Sequence, residues 1–194
     1  MQTSVKTLLE ELEAFGKAND AATKERAQRM LNITRDTGEF LDVLVRATGA
    51  PRILEIGTSN GYSTLWLAGA AQAHGGRVTT VEFSPAKIAL ARENFRRAGF
   101  ADAIHQVEGD AGALLAASPD AAFDLIFLDA ERGDYLGWWP EIRRVLAARG
   151  LLVVDNAVSH AEELAPFMER VRAEAGFATS LVPVGNGEFL ATKA

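Results

Sequence analysis

Residues 53–63 read Ile-Leu-Glu-Ile-Gly-Thr-Ser-Asn-Gly-Tyr-Ser. A short apolar run leads into two glycines and then into an apolar stretch of helical character. The pattern is a buried strand, a tight turn and a helix, and it places a small nucleotide-like ligand at the carboxyl end of the first sheet strand. The spacing bears on which ligand. A dinucleotide fingerprint needs Gly-x-Gly-x-x-Gly, because its middle glycine lets the backbone approach a pyrophosphate. Gly57 and Gly61 are present, but position 59 is Ser59 and the strand carries Glu55. A carboxylate serves a pyrophosphate poorly. It serves well a ligand that bears an ammonium group and a sulfonium charge.

Working outward, strands and helices alternate from Arg52 onward. Strands are expected at 52–56, 77–82, 103–107, 123–128, 151–154, 177–183 and 188–192. Helices are expected at 61–73, 85–98, 111–117, 138–148 and 160–175, with Ser84 and Pro85 opening the second of these. Gly185-Asn186-Gly187 is a hairpin turn between the last two strands. This alternation implies an α/β fold: a seven-stranded, mostly parallel sheet with helices on both faces and one antiparallel strand at its edge. Before it, Val5, Leu8, Leu9, Leu12 and Phe15 recur at helical spacing. Asp20 offers a cap for a second helix reaching Ile33, and Asp36 for a third. Residues 1–50 therefore read as a helical cap on a core at 51–194, in one domain.

Bulk properties narrow the function. The chain has 194 residues, 48% of them hydrophobic, which suits one globular domain. Twenty Lys and Arg against 26 Asp and Glu leave a net charge of −6, which weighs against nucleic acid as a partner. The chain contains no cysteine, so disulfides and thiolate metal sites are excluded. The amino terminus is amphipathic and acidic, unlike a signal peptide. No apolar run reaches the roughly 20 residues that span a bilayer. A cytoplasmic protein that does not engage membranes is the expectation.

The strand ends share a chemistry. Glu55 with Gly57, Glu82, Asp110 after Gly109, Asp129, and Asp155 with Asn156 put an acid at or near five successive tips. Any one of these could be a helix cap or a turn residue; five in register is harder to dismiss. Glu82 suits the two hydroxyls of a ribose. Asp110 could accept from an adenine amino group while capping the helix that starts at Ala111. Asp129, Asp155 and Asn156 supply hard oxygen donors without His or Cys, a set suited to Mg2+ and not to zinc.

With these residues in view, the chain resembles the class I S-adenosylmethionine-dependent methyltransferases, and within them the cation-dependent O-methyltransferases of the catechol and caffeoyl-CoA type. The likeness is carried by residues 54–63, Val81-Glu82, Gly109-Asp110-Ala111, Phe127-Leu-Asp-Ala-Glu-Arg-Gly-Asp-Tyr135 and Val153-Val-Asp-Asn156. It implies a Rossmann-like methyltransferase fold with an antiparallel carboxy-terminal hairpin, and a homodimer. It implies that Glu55, Gly57, Ser59, Gly61 and Ser63 hold the methionine part of S-adenosylmethionine, and that Glu82, Asp110 and Ala111 hold its ribose and adenine. Asp129, Asp155 and Asn156 would bind the metal, with Asp129 also beside the cofactor. Tyr135 would lie near the substrate. Trp138 and Trp139 read as core and interface more than as substrate walls, though one could line the acceptor pocket.

One position departs from the family pattern. Three residues after the first metal aspartate the family commonly has a lysine treated as a general base; here it is Arg132. A guanidinium stays protonated and cannot take that proton. Arg132 could orient a substrate or stabilise an oxyanion, and His160 is a further candidate base. The expected reaction is methyl transfer to a hydroxyl of a small aromatic vicinal diol. Three alternatives stand beside it. Methylation of a hydroxylated transfer-RNA base is opposed by the net charge but kept open by Lys24, Arg26, Arg29, Arg143, Arg144 and Arg149. A nicotinamide-dependent oxidoreductase is opposed by Ser59. A cofactor-binding protein without catalysis is hinted at by Arg132 alone.

Overall fold

β-Branched and large aliphatic residues dominate the strands, and their side chains alternate between two faces. In the computed structural model, which describes residues 3–194, seven strands form one sheet: β1 (Arg52–Ile56), β2 (Arg77–Glu82), β3 (Ile104–Glu108), β4 (Phe123–Leu128), β5 (Leu146–Val154), β6 (Phe177–Val182) and β7 (Glu188–Lys193). Their order is β3-β2-β1-β4-β5-β7-β6. Strands β1 to β5 pair in parallel, and β7 runs antiparallel to both neighbours. The antiparallel strand is therefore internal and β6 forms the edge, a correction to the expected edge position. The strand order reverses between β1 and β4, and a ligand crevice opens at such a switch point.

Helices cover both faces: α1 (Thr3–Ala22), α2 (Arg35–Thr48), α3 (Tyr62–Ala71) and α4 (Pro85–Ala98) with one half of the core, and α5 (Ala111–Ala117), α6 (Tyr135–Val145) and α7 (Ala161–Arg172) with the other. Ile53 and Phe127 face the first set, whereas Leu54 and Ile126 face the second. Every residue of α3 is buried, because α1 and α2 roof it. Residues 1 and 2 of the expected cap lie outside the described residues. Among the described residues no helix is long and apolar enough to cross a membrane.

The amino-terminal reading needs correction. There is no helix from Asp20 to Ile33. Asp20 lies inside α1, and its carboxylate accepts the backbone N–H groups of Met30 (2.6 Å) and Leu31 (2.8 Å). It thereby folds residues 23–34 back as a strap that contains only a short 3-10 turn, Arg26–Gln28. Thr34, not Asp36, caps α2 by accepting from Thr37 N–H at 3.2 Å. Helix α6 begins at Tyr135, earlier than expected. Strand β5 begins at Leu146, and its pairing with β4 shifts register between Phe123 and Leu125.

Candidate active site

The switch point is tightly built. Gly57 N–H donates to Val81 O (3.1 Å), and Asp129 N–H donates to Ile56 O (3.0 Å). Gly57 has φ +105°, and a Cβ there would collide with the Asp129 carbonyl oxygen. Only glycine lets the ends of β1 and β4 meet this closely. Above them lies a cavity of about 880 Å3 that extends from Phe83 and Asp110 at one end to Asp155 and His160 at the other, within the range of small-molecule sites.

Glu55 is fully buried behind the turn and does not line this cavity. Its carboxylate accepts hydrogen bonds from Ser63 (2.6 Å), Thr80 (2.6 Å) and Thr64. Burial pushes its pKa up to about 7 against the pull of those three hydroxyls, with the Glu82 charge adding to the rise. Glu55 is thus an internal brace of the turn, and Ser63 is the residue that faces the ligand space. Ser59, with φ +47°, donates its N–H to Glu82 (2.9 Å) and its hydroxyl to Met30 O (2.6 Å). Gly61 opens α3 with φ +85° and packs on Phe95.

Glu82 also accepts from Phe83 N–H (3.0 Å) and Ser84 N–H (2.9 Å). Asp110 caps α5 by accepting from Ala113 N–H at 2.7 Å. Glu82, Asp110 and Ala111 all line the cavity. Sequence reading missed their companions. Phe83 is 79% exposed within this lining, a flat apolar face beside the strand-end acid, and its place directly after Glu82 was the available signal. Trp138 lies against Gly112 and lines the cavity, the pocket role that the sequence left open for one of the two tryptophans, whereas Trp139 is core. The strap residues Met30, Leu31, Asn32 and Ile33 complete the wall.

At the other end Asp129, Asp155 and Asn156 converge. Asn156, with φ +67°, donates through its amide to Asp155 (2.8 Å) and toward Asp129 (3.4 Å). Asp155 is 3% exposed; its Oδ1 meets no N–H or hydroxyl donor, and its carboxyl lies within hydrogen-bond reach of the buried Glu188 carboxyl. Burial and the neighbouring Asp155 and Glu55 charges hold Asp129 well above the usual carboxylate range; burial also raises Asp155. A third acid, Glu188, missed in the sequence, is buried nearby and is pushed up to about 10 by burial and by Asp155. Among the described residues no three His, Cys, Asp or Glu side chains form a metal cage. The donor set is two carboxylates and an amide, whose oxygen and nitrogen are interchangeable by a flip. An orphaned buried carboxylate oxygen beside a second buried carboxylate fits a hard divalent cation, which would relieve both the repulsion and the lost hydrogen bond.

Arg132 lies beside these acids, its side chain 9% exposed, and donates from Nε to Glu163 at 2.7 Å. His160 lines the cavity, with Nδ1 2.9 Å from the Ser159 hydroxyl. Tyr135 does not line the cavity. It is buried in the core against Phe167, its hydroxyl oxygen accepts from Ala130 N–H (2.6 Å), and burial holds its pKa well above the ordinary value. The expected substrate contact is corrected to a support for the loop after Asp129.

The loop after Asp155 is fixed by the hairpin turn. Ala157 N–H donates to Gly187 O (2.8 Å), and the N–H groups of Val158 and Ser159 donate to Asn186 O (3.0 Å each). Gly185 packs on Thr34 and Thr37 of the strap–α2 junction. The turn therefore joins both walls of the cavity.

A family model described as O-methyltransferase matches residues 3–194. A catechol O-methyltransferase of Mycobacterium tuberculosis is 41% identical over 145 residues, covering 73% of this chain and 62% of the relative. One of Niastella koreensis is 33% identical over 144 residues, covering 71% of this chain and 65% of the relative. These alignments span less than two thirds of the relatives' own lengths. The crystal structure of an O-methyltransferase from Bacillus cereus in complex with SAH is 28% identical, with a TM-score of 0.81 over 97% of this chain and 91% of that one.

Proposed function

The chain belongs to the O-methyltransferase family, and on that premise we propose that it transfers the methyl group of S-adenosylmethionine to a hydroxyl of a small aromatic acceptor with adjacent hydroxyls. One observation carries the reading: a single cavity is lined at one end by Ser63, Glu82, Phe83 and Asp110, and at the other by Asp129, Asp155 and Asn156. The first end has the groups for an amino acid and a nucleoside. The second has hard oxygen donors for a cation that two acceptor oxygens can share.

S-adenosylmethionine, when bound, would supply an electrophilic methyl carbon; the acceptor oxygen would bond to it as the methyl–sulfur bond breaks, with the electron pair going to sulfur and the hydroxyl proton to a base or solvent. The protein's residues hold the two reactants at attack distance, which is where most of the rate enhancement of such a step originates. Glu55 fixes Ser63 and the start of α3. Glu82 has lone pairs left for ribose hydroxyls, and Phe83 offers a face to the base. Asp129, Asp155 and Asn156 would hold Mg2+, which when bound orients vicinal oxygens and lowers their pKa. Arg132 is a fixed positive charge beside them, and His160 is a neighbouring group able to accept a proton.

The test is methyl transfer from S-adenosylmethionine to catechol by the purified chain, with Mg2+ and with chelator. Transfer that chelator abolishes is expected. Transfer unchanged by chelator would remove the metal from the reading, and binding of NADH in place of S-adenosylhomocysteine would overturn it.

A further inference from the structure

The acceptor hydroxyl has to lose a proton, and the fixed cation beside the paired carboxylates, Arg132, cannot take it. Its geometry is that of an anion receptor. The Nε–Glu163 bond of 2.7 Å tethers the side chain, and among the described residues neither terminal guanidinium nitrogen has a hydrogen-bond partner. Arg132 lines the cavity with its side chain 9% exposed, and the two terminal nitrogens are the donors it has left to offer a ligand. Its charge acts on Asp129 at the end of β4, Asp155 at the end of β5, Tyr135 on α6 and Glu163 on α7; His160 and Arg26 act on Glu163 in turn. An unshared guanidinium fork in a partly dehydrated site binds an oxyanion by charge-assisted hydrogen bonds.

Resting on the function proposed above, the geometry points to acceptors taken up as oxyanions: acidic phenols or enols whose reacting hydroxyl ionises in water before docking, with Arg132 as the residue that selects the ionised form. The proton leaves to solvent. The oxyanion then forms the bond to the methyl carbon, the methyl–sulfur bond breaks, and the charge it carried is balanced by loss of the sulfonium charge. Weakly acidic diols such as catechol are still accepted but turn over more slowly at neutral pH, because the protein supplies a receptor for the anion in place of a lysine base.

4-Nitrocatechol tests this, because its anion absorbs in the visible and its hydroxyl is far more acidic than that of catechol. The full chain with S-adenosylhomocysteine and Mg2+ is titrated with it at a pH where the free ligand is mostly neutral. The bound ligand is expected to show the anion band. R132Q is expected to weaken binding about tenfold or more and to raise by about one unit the pH at which bound ligand ionises. E163Q, at a more exposed position, removes the compensating charge and is expected to tighten anion binding, which keeps the test open if R132Q does not fold. In turnover, the ascending limb of the kcat/KM pH profile is expected to move with acceptor acidity between catechol and 4-nitrocatechol. A neutral bound spectrum, equal affinity in R132Q, or a limb at the same pH for both acceptors would overturn the inference; the last would point to a protein base such as His160. Methyl transfer to catechol with a fixed limb would leave the proposed function standing. Anion binding through Arg132 without methyl transfer to either acceptor would remove that function and keep the receptor.

Discussion

The Thr37 hydroxyl donates to the buried carboxyl group of Glu188 at 3.0 Å, across 151 residues of sequence. Thr34 in turn donates to Thr37 at 3.2 Å. Helix α2 is thereby tied to β7 next to Asp155. E188A is expected to lower stability by about 1–3 kcal/mol, since the Thr37 hydroxyl loses its acceptor in a dry site. E188L removes the same acceptor but keeps the volume and relieves the desolvated acid beside Asp155, so at pH 8 it is expected to lose less than E188A. Urea unfolding of both variants separates the two contributions; equal loss in both would mean that the carboxyl group and its bond with Thr37, not the packing volume, is what matters.

The ligand-free protein is expected to lose stability as pH rises. Glu55 is raised to about 7 and Glu188 to about 10, so the folded state binds more protons than the unfolded one above the ordinary carboxylate range. Their neutral forms contribute stability that is complete below about pH 4.5 and is lost as pH climbs through the raised values. Asp129 and Asp155 shift in the same direction. Thermal midpoints at pH 6 and pH 9 check the sign, and Mg2+ is expected to narrow the gap by favouring ionised Asp129 and Asp155. A midpoint that rises with pH would contradict the assignment.

Asp155→Ala is expected to abolish Mg2+-dependent methyl transfer while S-adenosylhomocysteine affinity stays within about threefold, that is within about 0.7 kcal/mol. The same change relieves a buried like-charge pair, so the ligand-free midpoint at pH 9 is expected to rise. Calorimetric titration and a melting curve measure both on one sample.

Gly57→Ala is expected to destabilise by about 3 kcal/mol and to impair cofactor binding, because its φ of +105° and the Asp129 carbonyl both exclude a side chain. Gly99→Ala is the control: φ is +72° with nothing within 4 Å of the added carbon, so only about 1–2 kcal/mol of conformational strain is expected. Equal losses would show that strain alone, without the strand-end collision, accounts for the effect.

The sheet, the glycine turn and the line of strand-end acids were legible because each rests on local sequence: period-two apolar runs, glycines at fixed spacing, caps such as Ser84 and Asp110. What escaped depends on partners distant in sequence. Asp20 has a capping residue's chemistry, but its donors, Met30 and Leu31, lie beyond the helix that contains it. Glu55 points inward because Ser63, Thr64 and Thr80 close over it. Tyr135 turned away from the ligand space because Ala130 N–H needed an acceptor. Glu188 falls where a strand would ordinarily carry an apolar residue, and the partners that explain it, Thr37 and Asp155, lie far from it in sequence.

The strap over the glycine turn has a consequence for how a ligand is exchanged. Its polar ties to the body are the two Asp20 bonds to Met30 and Leu31, the Ser59 bond to Met30, and the amide bonds of Asn19 to Gln28 O and of Asn32 to Leu12 O, each with a net value of about 1 kcal/mol. The Glu55 cluster beneath is wholly buried and opens only with the core. Seat and roof therefore belong to different tiers of local stability: a local opening of the strap uncovers that end of the cavity, while the surface beneath keeps its shape.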